Sequence, residues 1–132
     1  MFTKNERSSF KYWFAHWCAY QMTALNLKCW KFRFLFHDIE KPWLKLLVRD
    51  YKKVQQWHRK YNRHHIEYFM KHDDADYLGM VIDWECSRFT KESQPLNARQ
   101  ELDRILIIKD LDIRQRNKLR KNIVEVMESI GL

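Results

Sequence analysis

At 132 residues the chain is expected to form one domain, long enough for a single core and too short for two. Two Gly and two Pro are too few for the tight turns of a sheet protein, so the composition points to helices joined by short polar loops. The net charge of +8 is lopsided: residues 1–60 hold 13 Lys/Arg against 4 Asp/Glu, and residues 61–132 hold 12 against 13.

A positive field of this kind gathers anions, which makes a phosphate-bearing small molecule or nucleic acid the expected partner, with a solvated basic face as the plain alternative. No stretch approaches the roughly 18 apolar residues of a membrane span. Met1 to Arg7 contains no apolar run, so no signal peptide is expected. Cys18, Cys29 and Cys86 lack CxxC spacing and read as reduced thiols in a cytoplasmic setting.

The first expected helix covers 5–24, with Phe10, Trp13, Phe14 and Trp17 at three-four spacing and His16 beside that stripe. Asn26 breaks it, and a second helix over 27–37 runs through Trp30 and Phe34 to deliver His37-Asp38. Pro42 disfavours helical geometry at Lys41, so the chain turns at 39–41 and restarts as a short apolar helix over 42–48. Asp50 caps a helix that continues to about Phe69. His58 and His65 are seven apart on it and share a face, with Asn62 between them; His64 points elsewhere if the helix is regular. His72 falls in a polar loop over 71–74 and is expected to be exposed.

A helix over 75–90 turns Leu78, Val81, Ile82, Cys86 and Phe89 inward with Asp83 among them. A buried carboxylate there needs a metal, a tertiary salt bridge or strong donors. After a loop over 91–96, helices over 97–110 and 113–130 act as buttresses without a histidine. The fold class is therefore all-α: one bundle of about six to seven helices over 1–132, with the motif-bearing part at about 10–90.

All six histidines lie between residues 16 and 72. A histidine directly before an aspartate, as in His37-Asp38, offers an imidazole and a carboxylate to a divalent metal of intermediate hardness. The order His16, His37-Asp38, Asp83 on separate helices resembles the HD-domain superfamily of metal-dependent phosphohydrolases. In that superfamily such residues bind one divalent metal on an all-helical scaffold. Two-metal members add histidines in the interval where His58, His64 and His65 stand.

His37-Asp38-Ile39-Glu40-Lys41 resembles the His-Asp-Ile-Gly-Lys stretch of the HD-GYP branch, whose lysine contacts substrate phosphate. His64-His65-Ile66-Glu67 resembles its His-His-Glu. Asn62-Arg63-His64-His65-Ile66-Glu67-Tyr68 and Ile82-Asp83-Trp84-Glu85 are similar to stretches in a small family of HD-like proteins from bacteria and their phages. The interval from His58 to His64 is short, Glu40 replaces a small residue and no Gly-Tyr-Pro motif follows, so cyclic-dinucleotide cleavage is not implied.

The resemblance implies a metal held by His16, His37, Asp38 and Asp83, and a second on His58, His65 and His64 bridged by Asp38. Mn, Fe, Zn, Ni and Co all accept such ligands. Lys41 is expected to neutralise phosphate, with Lys45 and Arg33 behind it and Asn62 near the substrate; Glu67 orients a ligand histidine or moves a proton. The leading function is metal-dependent hydrolysis of a nucleotide or other small phosphate ester. The alternatives are a degenerate HD scaffold that binds nucleic acid or a host protein, its aromatics stacking on bases, and a dinuclear-iron oxygenase.

Overall fold

Three side chains on one stripe of the first helix determine where the following loop runs. Helix α1 (Phe10–Asn26) starts at Ser9, whose hydroxyl accepts from the Tyr12 N–H. Trp13, Trp17 and Gln21 follow at i, i+4 spacing and donate to the main-chain carbonyls of Asp38 (2.8 Å), Leu35 (3.0 Å) and Phe34 (2.6 Å). Trp30 in turn donates to the Gln21 side-chain oxygen at 2.7 Å. These contacts tie the segment to α1 at three points along its length. The expected helix over 27–37 is accordingly replaced by a turn with Lys28 at φ 57°, an extended Lys31, and a short 3-10 helix at Phe32–Phe36. Phe34 is its one buried residue and packs with Tyr20 and Ile82.

The structure, a computed structural model, describes residues 2–3, 6–7, 9–47, 49–91 and 97–132. The expected start of the first helix at residue 5, the end of the third at Val48, and residues 92–96 of the loop lie outside them. Among the described residues there are seven α-helices and no strand; Phe2 and Lys91 form an isolated bridge. The fold is therefore all-α.

Helix α2 (Glu40–Leu47) begins two residues before Pro42, which sits in the first turn where its missing N–H costs no helical bond. The expected short apolar helix is present, yet none of its residues is buried and Trp43, Leu46 and Leu47 face outward. Helix α3 (Tyr51–Tyr61), capped by Asp50, stops at Asn62, which is extended at φ −94° and ψ 128°. The single helix expected to Phe69 is thus broken into α3 and the one-turn α4 (Ile66–Phe69). Asn62 leaves the ladder because its side chain donates to Glu40, and the next carbonyl, of Arg63, accepts from the Asp76 N–H at 2.7 Å.

Helix α5 (Tyr77–Cys86) is the axis of the molecule. It packs against α1 on one side and against α6 (Ala98–Ile108) and α7 (Ile113–Ser129) on the other. Ile82 and Cys86 join Tyr20, Ala24 and Phe34 in one core; Met80 and Val81 join Leu102, Ile105, Leu119, Ile123 and Met127 in the other. Burying each of these larger apolar side chains contributes about 1.5–3 kcal/mol. Phe89, expected inward, is turned out because the helix gives way to a 3-10 turn at Ser87–Phe89. Glu85 is buried and accepts from the Ala98 N–H at 2.9 Å, tying the start of α6 to α5. The α6–α7 pair forms the expected buttress.

Candidate metal centre

Four segments place imidazoles and carboxylates at one point. His16 comes from the middle of α1, His37 and Asp38 from the loop that α1 holds, His58 from the last turns of α3, and Asp83 from the middle of α5. His64 and His65 come from the break before α4. All but His65 are buried, and His65 is half-buried.

Asp38 is the hub. Its backbone is left-handed at φ 54°, a conformation rare outside Gly and tolerated best by Asp and Asn. Its two oxygens face different groups. Oδ2 lies 3.7 Å from His16 Nε2, 3.4 Å from His37 Nε2 and 3.4 Å from Lys41 Nζ. Oδ1 lies 2.9 Å from His58 Nε2 and 3.1 Å from His64 Nε2. Asp83 Oδ1 completes the first group, 2.9 Å from His16 Nε2 and 3.3 Å from His37 Nε2.

The ligand atoms of His16, His37, Asp38 and Asp83 lie within 4.8 Å of one another, and so do those of Asp38, His58, His64 and His65. The donor set suits a cation. Asp38 Oδ1 and the Nε2 atoms of His58, His64 and His65 are buried and make no directed hydrogen bond, although the contacts to Oδ1 are short. Lone pairs aimed at a common point rather than at a proton give that geometry, and leaving them unmatched is costly.

Several of the imidazoles are oriented from behind. His58 Nδ1 is held by Glu40, which also accepts from Asn62. A carboxylate on the far nitrogen fixes the tautomer that leaves Nε2 free to ligate. His37 stacks on Tyr20 with ring centroids 3.7 Å apart, and His16 stacks on Tyr12. Gly79 is needed beneath His64. A Cβ there would lie 2.5 Å from the Asp76 carboxylate, which caps α5, and 3.1 Å from His64 Cβ.

The ionisation of the group is strongly biased. Burial pushes the Asp38 carboxyl up, but His37, Lys41 and His58 outweigh it and hold it well below the usual range. Asp83 behaves alike: burial raises it and the bonds from His16 and His37 prevail, leaving it low. Burial lowers His37 to about 4 against the pull of Asp38. Burial also drives His65 well down, helped by neighbouring His64 and His58. His64 is raised, since Asp38 overcomes its burial.

A cavity of about 60 Å³ opens onto the cluster and is lined by Lys41, Lys91, Arg7 and Arg59 along with ligand atoms. Burial lowers Lys91. Burial opposes the charge on Lys41, but Asp38 raises it.

All seven expected ligands meet here: His16, His37, Asp38, Asp83, His58, His64 and His65. His64 is a correction in its direction, because the break at Asn62 turns it inward. Lys41 is at the site, and Lys45 lines a wider cavity next to it. Three expected residues are elsewhere. Glu67 faces Lys109 at 3.1 Å on the buttress side, because α4 is too short and too rotated to return it to the histidines. Arg33 forks onto Asp76 and so is committed to the α5 cap. Asn62 supports Glu40 and His58 rather than the substrate.

Glu40, Lys91 and Arg59 were not anticipated as site residues. Glu40 carries a signal in its place two residues after Asp38; Lys91 carries none, since it comes from a loop joined to the site only by tertiary packing. No model of a known protein family matches this chain, and neither does any curated protein or solved structure.

Proposed function

We propose that this chain is an HD-type, metal-dependent phosphohydrolase acting on a nucleotide or other small phosphate ester. The observation that carries the reading is Asp38, whose two oxygens each face a separate group of ligand atoms, with the Nε2 atoms of His58, His64 and His65 in one group buried without a hydrogen-bond partner. Two divalent ions of the Mn, Fe, Zn, Ni or Co series fit these donors, His16, His37 and Asp83 holding one and His58, His64 and His65 the other, with Asp38 shared. Such ions supply an acidified water and withdraw charge from phosphorus.

The chain's own residues do the rest. Lys41, 3.4 Å from Asp38, places a positive charge beside the shared carboxylate, where a phosphate oxygen would lie. Lys91, Arg7 and Arg59 extend that positive wall. Glu40 and Asn62 hold His58 in one orientation. The cationic rim favours phosphate chemistry over a dinuclear-iron oxygenase, which needs no such wall. The complete ligand set argues against a degenerate binding scaffold.

The test is turnover of a panel of phosphate esters by Mn-loaded protein, with Lys41→Met as control. Hydrolysis that falls at least tenfold in Lys41→Met with unchanged metal content supports the reading. Full metal loading with no turnover of any ester refutes it.

A further inference from the structure

A second, larger cavity of about 520 Å³ joins the metal centre at His16, Asp38 and Lys41. Its chemistry differs from that of the cluster. Phe10 and Trp13 of α1 form one wall, and Pro42, Trp43 and Leu46 of α2 form the other. Phe10, Trp43 and Leu46 are 64%, 67% and 77% exposed, far more than apolar side chains of this size gain from by facing water. They flank a passage that ends on charged groups: Lys41 and Arg7 near the cluster and Lys45 on α2.

Three polar side chains of the wall, Trp13, Tyr51 and Ser9, are already engaged. Trp13 Nε1 donates to the Asp38 carbonyl. Tyr51 donates to the Arg7 carbonyl at 2.8 Å and accepts from Gln55 at 3.1 Å. The Ser9 hydroxyl donates to the Glu6 carbonyl at 2.8 Å while capping α1. A nucleobase or sugar bound there would lose water from its donors and acceptors with few groups to replace it, which a selective polar site avoids. An alkyl or aryl body meets no such penalty and covers the exposed rings.

We infer that the substrate is a phosphate monoester of an apolar alcohol, its phosphate at the metal centre and its hydrocarbon body in the Phe10–Trp43–Leu46 cavity. This rests on the phosphohydrolase reading and narrows its substrate class away from nucleotides. The reaction balances with water alone. The water oxygen bonds to phosphorus and the bond from phosphorus to the alkyl oxygen breaks. One water proton goes to the departing alcohol, and the other stays on the hydrogen phosphate.

The test reads binding, not turnover. n-Alkyl phosphonates from ethyl to octyl, whose phosphorus–carbon bond water does not cleave, are titrated by calorimetry into metal-free and Mn-loaded protein, with adenosine monophosphate and inorganic phosphate alongside. Affinity is expected to rise about twofold to fourfold per methylene as each enters the cavity. In Leu46→Gln, a change at an exposed position, that dependence flattens. Octyl phosphonate is expected to bind more tightly than adenosine monophosphate in the wild type. A flat dependence on chain length, or tighter binding of adenosine monophosphate, overturns the inference and leaves the phosphohydrolase reading standing. A steep dependence in protein that takes up no metal sustains the cavity assignment while the metal-centre reading fails.

Discussion

Asp38→Asn separates a shared ligand from a bystander. The substitution keeps the shape of the side chain and removes the charge that faces both histidine groups, at 2.9 Å and 3.1 Å on one oxygen and 3.4 Å and 3.7 Å on the other. If the two groups each hold an ion, wild type binds two per chain. An ion at a hundred times its dissociation constant stabilises the fold by about 2.7 kcal/mol, or about 5.4 kcal/mol for two independent sites. For a chain of this size that raises the melting temperature by roughly 20 °C at about 4 °C per kcal/mol.

His16→Ala and His58→Ala are each expected to lose one ion and about half of that shift, because each alters only one group. Asp38→Asn is expected to lose most of both. The assay is elemental analysis after dialysis, paired with thermal melts across a Mn or Zn titration. Retention of two ions by Asp38→Asn, or loss of both in His58→Ala with none lost in His16→Ala, refutes the shared-carboxylate arrangement.

Three further outcomes follow from the same contacts. Glu40→Gln removes the carboxylate behind His58 and is expected to weaken metal binding about 10–100-fold without unfolding the chain, measured by competition with a chromophoric chelator. Gly79→Ala drives a Cβ into the Asp76 cap and against His64, and is expected to destabilise the protein by about 1–3 kcal/mol in urea unfolding, with metal uptake impaired.

The metal-free protein is expected to lose stability as pH falls from 6.5 towards 4. The folded-state values of His37 and His65 lie below their unfolded value, so unfolding takes up protons in that window, at up to about 2.7 kcal/mol per pH unit for two of them. His64, which is raised, has its contribution already complete below 6.5, and Asp38 and Asp83 begin to lose theirs only as pH nears their unfolded value of 3.8, at the lower edge of this window. Melting temperatures of chelator-treated protein that stay flat from pH 6.5 to 4.5 contradict this account.

The all-α class, the last two helices and the residues that gather at the cluster were legible because each rests on local pattern. The cap at Asp50 and the His-Asp doublet can each be read within a few residues. What was not legible depends on contacts between distant segments. The stretch 27–37 has the composition of a helix, and only the donors of Trp13, Trp17 and Gln21, 13 to 25 residues upstream, explain why it is a loop. The break at Asn62 has the same origin, since Glu40 lies 22 residues away from it. Glu67 looked like part of a ligand motif by its neighbours and is assigned by the turn of α4 to Lys109 instead. The apolar composition of α2 does not tell a core helix from one that lines a cavity, and the structure shows the second.

The departures from local preference gather around Asp38. Its own backbone is left-handed, the preceding helix is suppressed, α3 is interrupted and the α5 glycine is required, all within reach of one carboxylate. Each lowers the stability that the same sequence would have as regular helices. The buried lone pairs of Asp38, His58, His64 and His65 that lack a hydrogen-bond partner would add to that loss in the absence of a cation. The buttress side shows no such concession: α6 and α7 are capped, regular and packed on Met80 and Val81. Apart from the left-handed Lys28 in the turn after α1, these departures lie at the Asp38 end, the pattern of a site held in place by its scaffold. If the cluster holds ions as proposed, their binding restores the stabilisation missing from the Asp38 end, and chelation should loosen α3 and the 34–38 loop before it loosens α7. Hydrogen exchange with and without metal checks this, and equal protection changes in α3 and α7 would contradict it.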